Sequence, residues 1–200
     1  MIFSVILCAS HKLFIFCREV MMKIERERFL DTVANSFSAY YDLHMAEGEQ
    51  ELPLAFRADY YSRAERYWLT KNIPIWGNET NEFAYVFSAP AFDQALAARC
   101  IDYALDEALP LVKPHKEHQY TNIKVILLAD TVEEDVARYV KKRSFTKSYK
   151  FSLHGFSTLK SAIVDLSEQK TVTNSAGHEL VPYFSKLFAA EEKSKESSSL

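Results

Sequence analysis

From residue 23 onward, apolar residues recur first at helical spacing and then at strand spacing. Leu30, Val33, Phe37, Tyr41 and His44 fall three or four positions apart. That period predicts a long amphipathic helix over Lys23–Ala46, ended by Gly48. Leu52–Ala58, which contains Pro53, is expected to be an apolar loop. Ala64–Trp76 is expected to be extended, because Tyr67, Trp68 and Leu69 favour strand and Pro74 implies an edge or a break. Gly77–Asn81 (GNETN) has the composition of a turn. Glu82–Ser88 alternates, with Phe83, Tyr85 and Phe87 on one face and Ala84 and Val86 on the other. The two extended segments are expected to form a hairpin.

Ala91–Leu109 returns to the helical period, with Phe92, Leu96, Cys100, Ile101 and Tyr103 dry and Arg99, Asp102 and Asp106 wet. Pro90 is placed in its first turn, where a missing N–H costs nothing. Lys113–Tyr120 is a polar loop. Ile123–Ala129 (IKVILLA) is nearly continuous in apolar residues, which predicts a strand buried on both faces. Thr131 and Glu134 fit a capping box and predict a helix over Val132–Lys142. Phe145–Leu153 is the next expected strand. Leu159–Leu166 and Thr171–Thr173 are expected to pair across SEQK, and Glu179–Ala190 to close the fold as a helix. The predicted fold class is α/β or α+β, with one mixed sheet of about five to six strands and helices packed on its faces.

Composition sets the frame for that fold. The chain has 200 residues, 48% of them hydrophobic, enough for a core without covalent staples. Residues 22–190 are expected to form a single globular domain, and 191–200 (EEKSKESSSL) a disordered tail. Residues 1–21 read as an extension: His11 and Lys12 interrupt the apolar Met1–Cys17, and the polar MKIERERFLD suggests a natural start at Met21 or Met22. Net charge is −3, which gives no global attraction to nucleic acid or anionic lipid. Cys8, Cys17 and Cys100 contain no C-x-x-C pair, which fits a reducing cytoplasm and disfavours a thiolate zinc site.

Ile123–Asp130, YKFSLHGFSTLKSAIVDL and TNSAGHEL resemble a small family of uncharacterised bacterial proteins, chiefly from clostridia-like Gram-positives. The resemblance spans roughly Lys23 to Phe188 and favours a late start. It implies no assigned activity and transfers no functional residue.

The four glycines, Gly48, Gly77, Gly155 and Gly177, are too far apart to share a loop. Phosphate-cradling loops need clustered glycines, so the nucleotide-binding fingerprints are absent, and so is the G-x-S-x-G elbow. No catalytic residue, cofactor or metal set is therefore assigned. If helices connect strands 82–88, 123–129 and 145–153 in parallel, then Ser88, Asp130, Thr131 and His154 meet at the carboxyl edge of the sheet. That constellation is the candidate site for an anion or small ligand, or for hydrolase-like chemistry. Each residue also has a structural role open to it: Ser88 as a cap, Asp130 in a strand-to-helix turn, His154 before a glycine turn. His115 and His118 (HKEH) should lie at the opposite edge, in a solvated loop.

Arg138–Lys150 carries six basic residues, no acidic one and three aromatics. Lys141, Lys142, Arg143, Lys147 and Lys150 are its candidates for nucleic-acid contact. The competing reading places Lys141, Lys142 and Arg143 at a helix C-terminus, where the dipole favours cations. Arg57–Lys71 mixes basic and aromatic residues and reads first as an edge hairpin. Asp165, Glu168 and Lys170 are the core's one approach to a nuclease motif, at unsuitable spacing. The leading expectation is a non-enzymatic cytoplasmic interaction or regulatory module. Its partner is not specified, another protein being one candidate; nucleic acid is disfavoured, and neither cofactor nor membrane is involved.

Overall fold

The computed structural model describes residues 21–23, 25–48, 50–67 and 74–198. The readings of Met1–Cys17 and of Trp68–Ile73 fall outside the described residues. Helix α1 covers residues 25–38. After it come β1 (Asp42–Met45), β2 (Leu54–Tyr67), β3 (Pro74–Ala89), α2 (Gln94–Ala108), β4 (His118–Ala129), α3 (Glu134–Lys142), β5 (Thr146–Ser148), β6 (Phe156–Asp165), β7 (Lys170–Thr173) and α4 (Leu180–Ser198). The strands form one mixed seven-stranded sheet in the order β1-β2-β3-β4-β6-β5, with β7 also paired to β6. The fold is α+β, as the sequence predicts.

The centre of the sheet is parallel. β3 pairs with β4 from Glu79↔His118 to Ala89↔Ala129, and β4 with β6 from Tyr120↔Phe156 to Ala129↔Asp165. The apolar run IKVILLA is β4, and both its faces are covered. Ile123, Val125, Leu127 and Ala129 pack with α2 and α3; Ile126 and Leu128 pack with α1 and α4. The alternation of Phe83, Tyr85 and Phe87 against Ala84 and Val86 divides the same two clusters. Outside this centre, β1 and β2 pair antiparallel, as do β2 and β3. β5 and β7 share the outer edge of β6, β5 along its start and β7 along its end.

Several local expectations are corrected. The first helix stops at 38: Tyr40 N–H and Tyr41 N–H both bond to the Phe37 carbonyl, and Asp42–Met45 instead pairs with β2. Leu52–Ala58 is a loop only at its start; Leu54 onward is strand, held between β1 and β3. GNETN lies inside β3, because Asn81 pairs with Tyr61 on one side and Thr121 on the other. Pairing on both sides outweighs turn composition there. Pro90 precedes α2; Asp93 caps it by accepting from Leu96 N–H at 2.6 Å. The Thr131–Glu134 box does not form. Glu133 stands at the N-cap without a side-chain cap, and Asp165 reaches across from β6 to accept from Val132 N–H at 2.8 Å, fixing the turn that leads into the helix. Helix α4 continues to Ser198 through the segment expected to be a tail, and Glu191 accepts from Thr32 Oγ1 at 2.5 Å.

The largest difference follows α3. Only Thr146–Ser148 is strand, and the parallel neighbour of β4 is β6. Between them Lys150, Phe151 and Ser152 take φ of 47°, 54° and 68°, one turn of left-handed backbone. Such a turn costs roughly 1–2 kcal/mol per residue, because Cβ crowds the next carbonyl oxygen. Gly155 (φ +74°) ends it, and a Cβ there would sit 2.4 Å from the Gln119 carbonyl oxygen. Gly155→Ala is therefore expected to cost about 1–3 kcal/mol in urea unfolding. An unchanged midpoint would show that neither the positive φ nor the approach to the Gln119 carbonyl strains an alanine here.

Candidate functional site

The carboxyl edge holds part of the expected constellation. Ser88 and Asp130 lie there, at the ends of β3 and β4 (Ser88↔Leu128, Ala89↔Ala129). Thr131 follows on the surface. His154 lies at the other edge, because it precedes β6 rather than ending a strand. Asp130 is buried and paired with Arg26 of α1, and its Oδ1 has no hydrogen-bond partner among the described residues. Asp130 N–H bonds to the Pro90 carbonyl at 3.1 Å. A guanidinium already occupies this carboxylate, so the edge has no free Asp130 charge to offer a ligand.

At the opposite edge, His118 is 3% exposed rather than solvated. Its Nδ1–H donates to the His154 carbonyl at 2.7 Å, and its Nε2 hydrogen-bonds with Thr121 Oγ1 at 2.9 Å. His115 instead meets Glu79 at 3.0 Å. No group of three metal-binding side chains occurs among the described residues. Asp165 is committed to structure: its carboxylate accepts from Val132 N–H, Ser167 Oγ and Glu168 N–H. Of the basic candidates, Arg143 pairs with Asp102 at 2.6 Å, whereas Lys141, Lys142, Lys147 and Lys150 are exposed. Arg57 is tied to its neighbour Asp59, which raises its pKa.

A site that sequence patterning did not single out lies on the face covered by α1 and α4. Glu82 of β3 and Lys124 of β4 come within 2.5 Å as an ion pair, with side chains only 17% and 11% exposed. Glu82 Oε1 accepts from Asn122 Nδ2 at 2.8 Å; Oε2 accepts from Lys124 and from the Tyr41 hydroxyl. Lys124 also donates to Tyr41 Oη at 3.0 Å. Burial pushes the Glu82 pKa up, but the Lys124 charge and the three donors outweigh it, and the net shift is downward. Burial and Glu82 hold the Tyr41 phenol far above its usual range, so it stays protonated and donates.

Beside this cluster is a cavity of about 300 Å³, lined by Ser36, Phe37, Tyr40, Tyr41, Lys124, Glu179, Leu180 and Tyr183. Its walls come from the end of α1 and the turn after it, from Lys124 of β4, and from Glu179 and the first turn of α4. Ser36 Oγ donates to the Val33 carbonyl at 2.7 Å, so the Tyr183 hydroxyl beside it donates to Ser36. Glu179 is held by Lys160 at 2.8 Å and 2.9 Å. Lys124 has three N–H groups and two acceptors among the described residues.

The signal for this site was a lysine inside IKVILLA. A charge at the centre of a buried strand needs a partner. Naming Glu82 as that partner requires the β3–β4 register, and placing Tyr41 requires knowing that α1 ends at 38.

No curated protein and no solved structure matches the chain. A family model for a domain of unknown function, DUF8052, matches residues 25–186, which include all four helices in whole or part and the entire described sheet. The chain belongs to that family.

Proposed function

We propose that the protein is a non-enzymatic ligand-binding module whose ligand is a small, neutral, largely apolar molecule seated beside Lys124. The cavity between α1 and α4 carries this reading. Its volume of about 300 Å³ lies at the lower bound for small-molecule sites. Phe37, Tyr40, Tyr41, Leu180 and Tyr183 supply apolar walls, and Lys124 supplies one donor for a carbonyl or hydroxyl oxygen. Both cations at the site already have carboxylates, Lys124 with Glu82 and Lys160 with Glu179. A charged ligand would upset that balance, whereas a neutral one leaves it intact.

Binding fits these groups better than chemistry. Glu82 accepts three hydrogen bonds and its pKa is lowered, which makes it a weak base for taking a proton from a substrate. Tyr41 keeps its proton, and the two carboxylates near it, Glu82 and Glu179, are each held by a lysine. An interaction or regulatory role then follows if occupancy fixes α4 against α1.

The test uses phenol, indole and benzamide as probes. Saturable shifts in the NMR signals of Tyr41, Tyr183 and Lys124 are expected with at least one of them. Ser36→Phe should fill the cavity and abolish those shifts. Titrations in which none of the three probes moves these signals would remove the reading.

A further inference from the structure

The edge where β3, β4 and β6 begin carries two features that the cavity does not use. The first is the left-handed turn between β5 and β6. It is closed by Tyr149 N–H to the Gly155 carbonyl at 3.0 Å and by His154 N–H to the Tyr149 carbonyl at 3.1 Å. Buried His118 anchors it through the His154 carbonyl. A conformation that L-residues avoid is thus held from both ends, and it places Phe151 100% in solvent with Leu153 beside it. Behind the turn, Tyr120 and Phe156 are register partners on β4 and β6. Their rings stack at 6.2 Å and 30°, and Phe156 is exposed.

The second feature is charge. α3 runs back from the carboxyl edge as far as the middle of β6, where the Val140 carbonyl meets Ser161 Oγ, so Lys141 and Lys142 stand partway along the sheet on the approach to this edge. Lys147 lies on β5, Lys150 in the turn, and Lys113 and Lys116 in the connection into β4. All six are exposed, and none has an ion-pair partner among the described residues. Of the acids at the start of β4, Glu117 is already paired with Arg63, and Glu79 is hydrogen-bonded to His115 and Asn81. Unbalanced cations therefore gather on one edge of a chain whose net charge is −3.

We propose that this edge binds single-stranded nucleic acid. The lysines follow the phosphates, and Phe151 and the Tyr120–Phe156 pair stack on bases. The lysines form a strip from the end of α3 through β5 to the loop before β4, which suits a linear polyanion. The aromatic faces stand at two depths, one on the turn and one back on the sheet. A bilayer would meet only the protruding turn, and would leave Tyr120, Phe156 and Lys141 without a role.

Fluorescence anisotropy of the full chain with a labelled oligouridine tests this. Saturable binding is expected at low salt, with log affinity falling against log salt by about 0.7 for each phosphate contacted. Phe151→Ala should weaken binding roughly ten-fold or more, since one stacked base is lost. Its melting temperature should not change, because the side chain is fully exposed. The double variant Lys147→Glu, Lys150→Glu should flatten the salt slope. Absence of binding at low salt would overturn the proposal, as would binding that neither variant alters. Equal affinity for a duplex of the same length would remove the stacking role and with it the proposal. Binding to phosphatidylserine vesicles in place of the oligonucleotide would assign the edge to lipid instead.

Discussion

Asp130→Ala is expected to lower unfolding free energy by about 3–5 kcal/mol, because it strands the buried Arg26 guanidinium without its carboxylate. For a chain of this size, the loss corresponds to a fall in Tm on the order of 10 °C. A turn residue or helix cap would cost only about 1 kcal/mol. The two sizes are far enough apart for urea denaturation to decide between them. The double variant Arg26→Met, Asp130→Leu separates an unpaired charge from lost packing. Replacing a buried pair by apolar side chains of similar volume is often near neutral. The double variant should therefore recover most of what Asp130→Ala loses. A cost near 1 kcal/mol for Asp130→Ala would place Arg26 in solvent and reopen the carboxyl edge as a ligand site.

This pair also explains why the edge looked functional in sequence. Ser88 and Asp130 do stand at the ends of adjacent parallel strands, as the first expected crossover requires, whereas the second leads to β6 and not to 145–153. What patterning could not supply was α1, whose Arg26 lies 104 positions away in the chain and closes over Asp130. His154 was misplaced for a different reason. FSLHG reads as the end of a strand by composition, but the left-handed turn at Lys150–Ser152 reverses the chain before it. Three consecutive non-glycine residues at positive φ have no composition that announces them. Local period sufficed for α2, for the alternating half of β3 and for β4, where core contacts and strand spacing agree. It failed for β1 and for the start of β2, which are set by pairing with partners more than ten residues away, as in Met45↔Phe56 and Leu54↔Phe87.

Lys124→Met should be the second large loss, again about 3–5 kcal/mol, because Glu82 keeps its charge with no cation beside it. Tyr41 and Asn122 would still donate to that carboxylate, which places the cost towards the lower end of the range. Acid gives an independent check. The Glu82 pKa is depressed below its ordinary value of 4.5 in the fold. Its contribution is therefore fully present above 4.5 and is lost as pH falls through the lower, folded value. Wild-type stability should drop over that window. In Glu82→Gln nothing remains to titrate at this position, so its stability should start lower at neutral pH and fall less steeply in acid. The two curves should converge below the folded pKa of Glu82. Curves that stay parallel from neutral pH into acid would mean that the Glu82–Lys124 pair is solvated, and that the cavity beside it lacks the fixed Lys124 donor on which ligand binding depends.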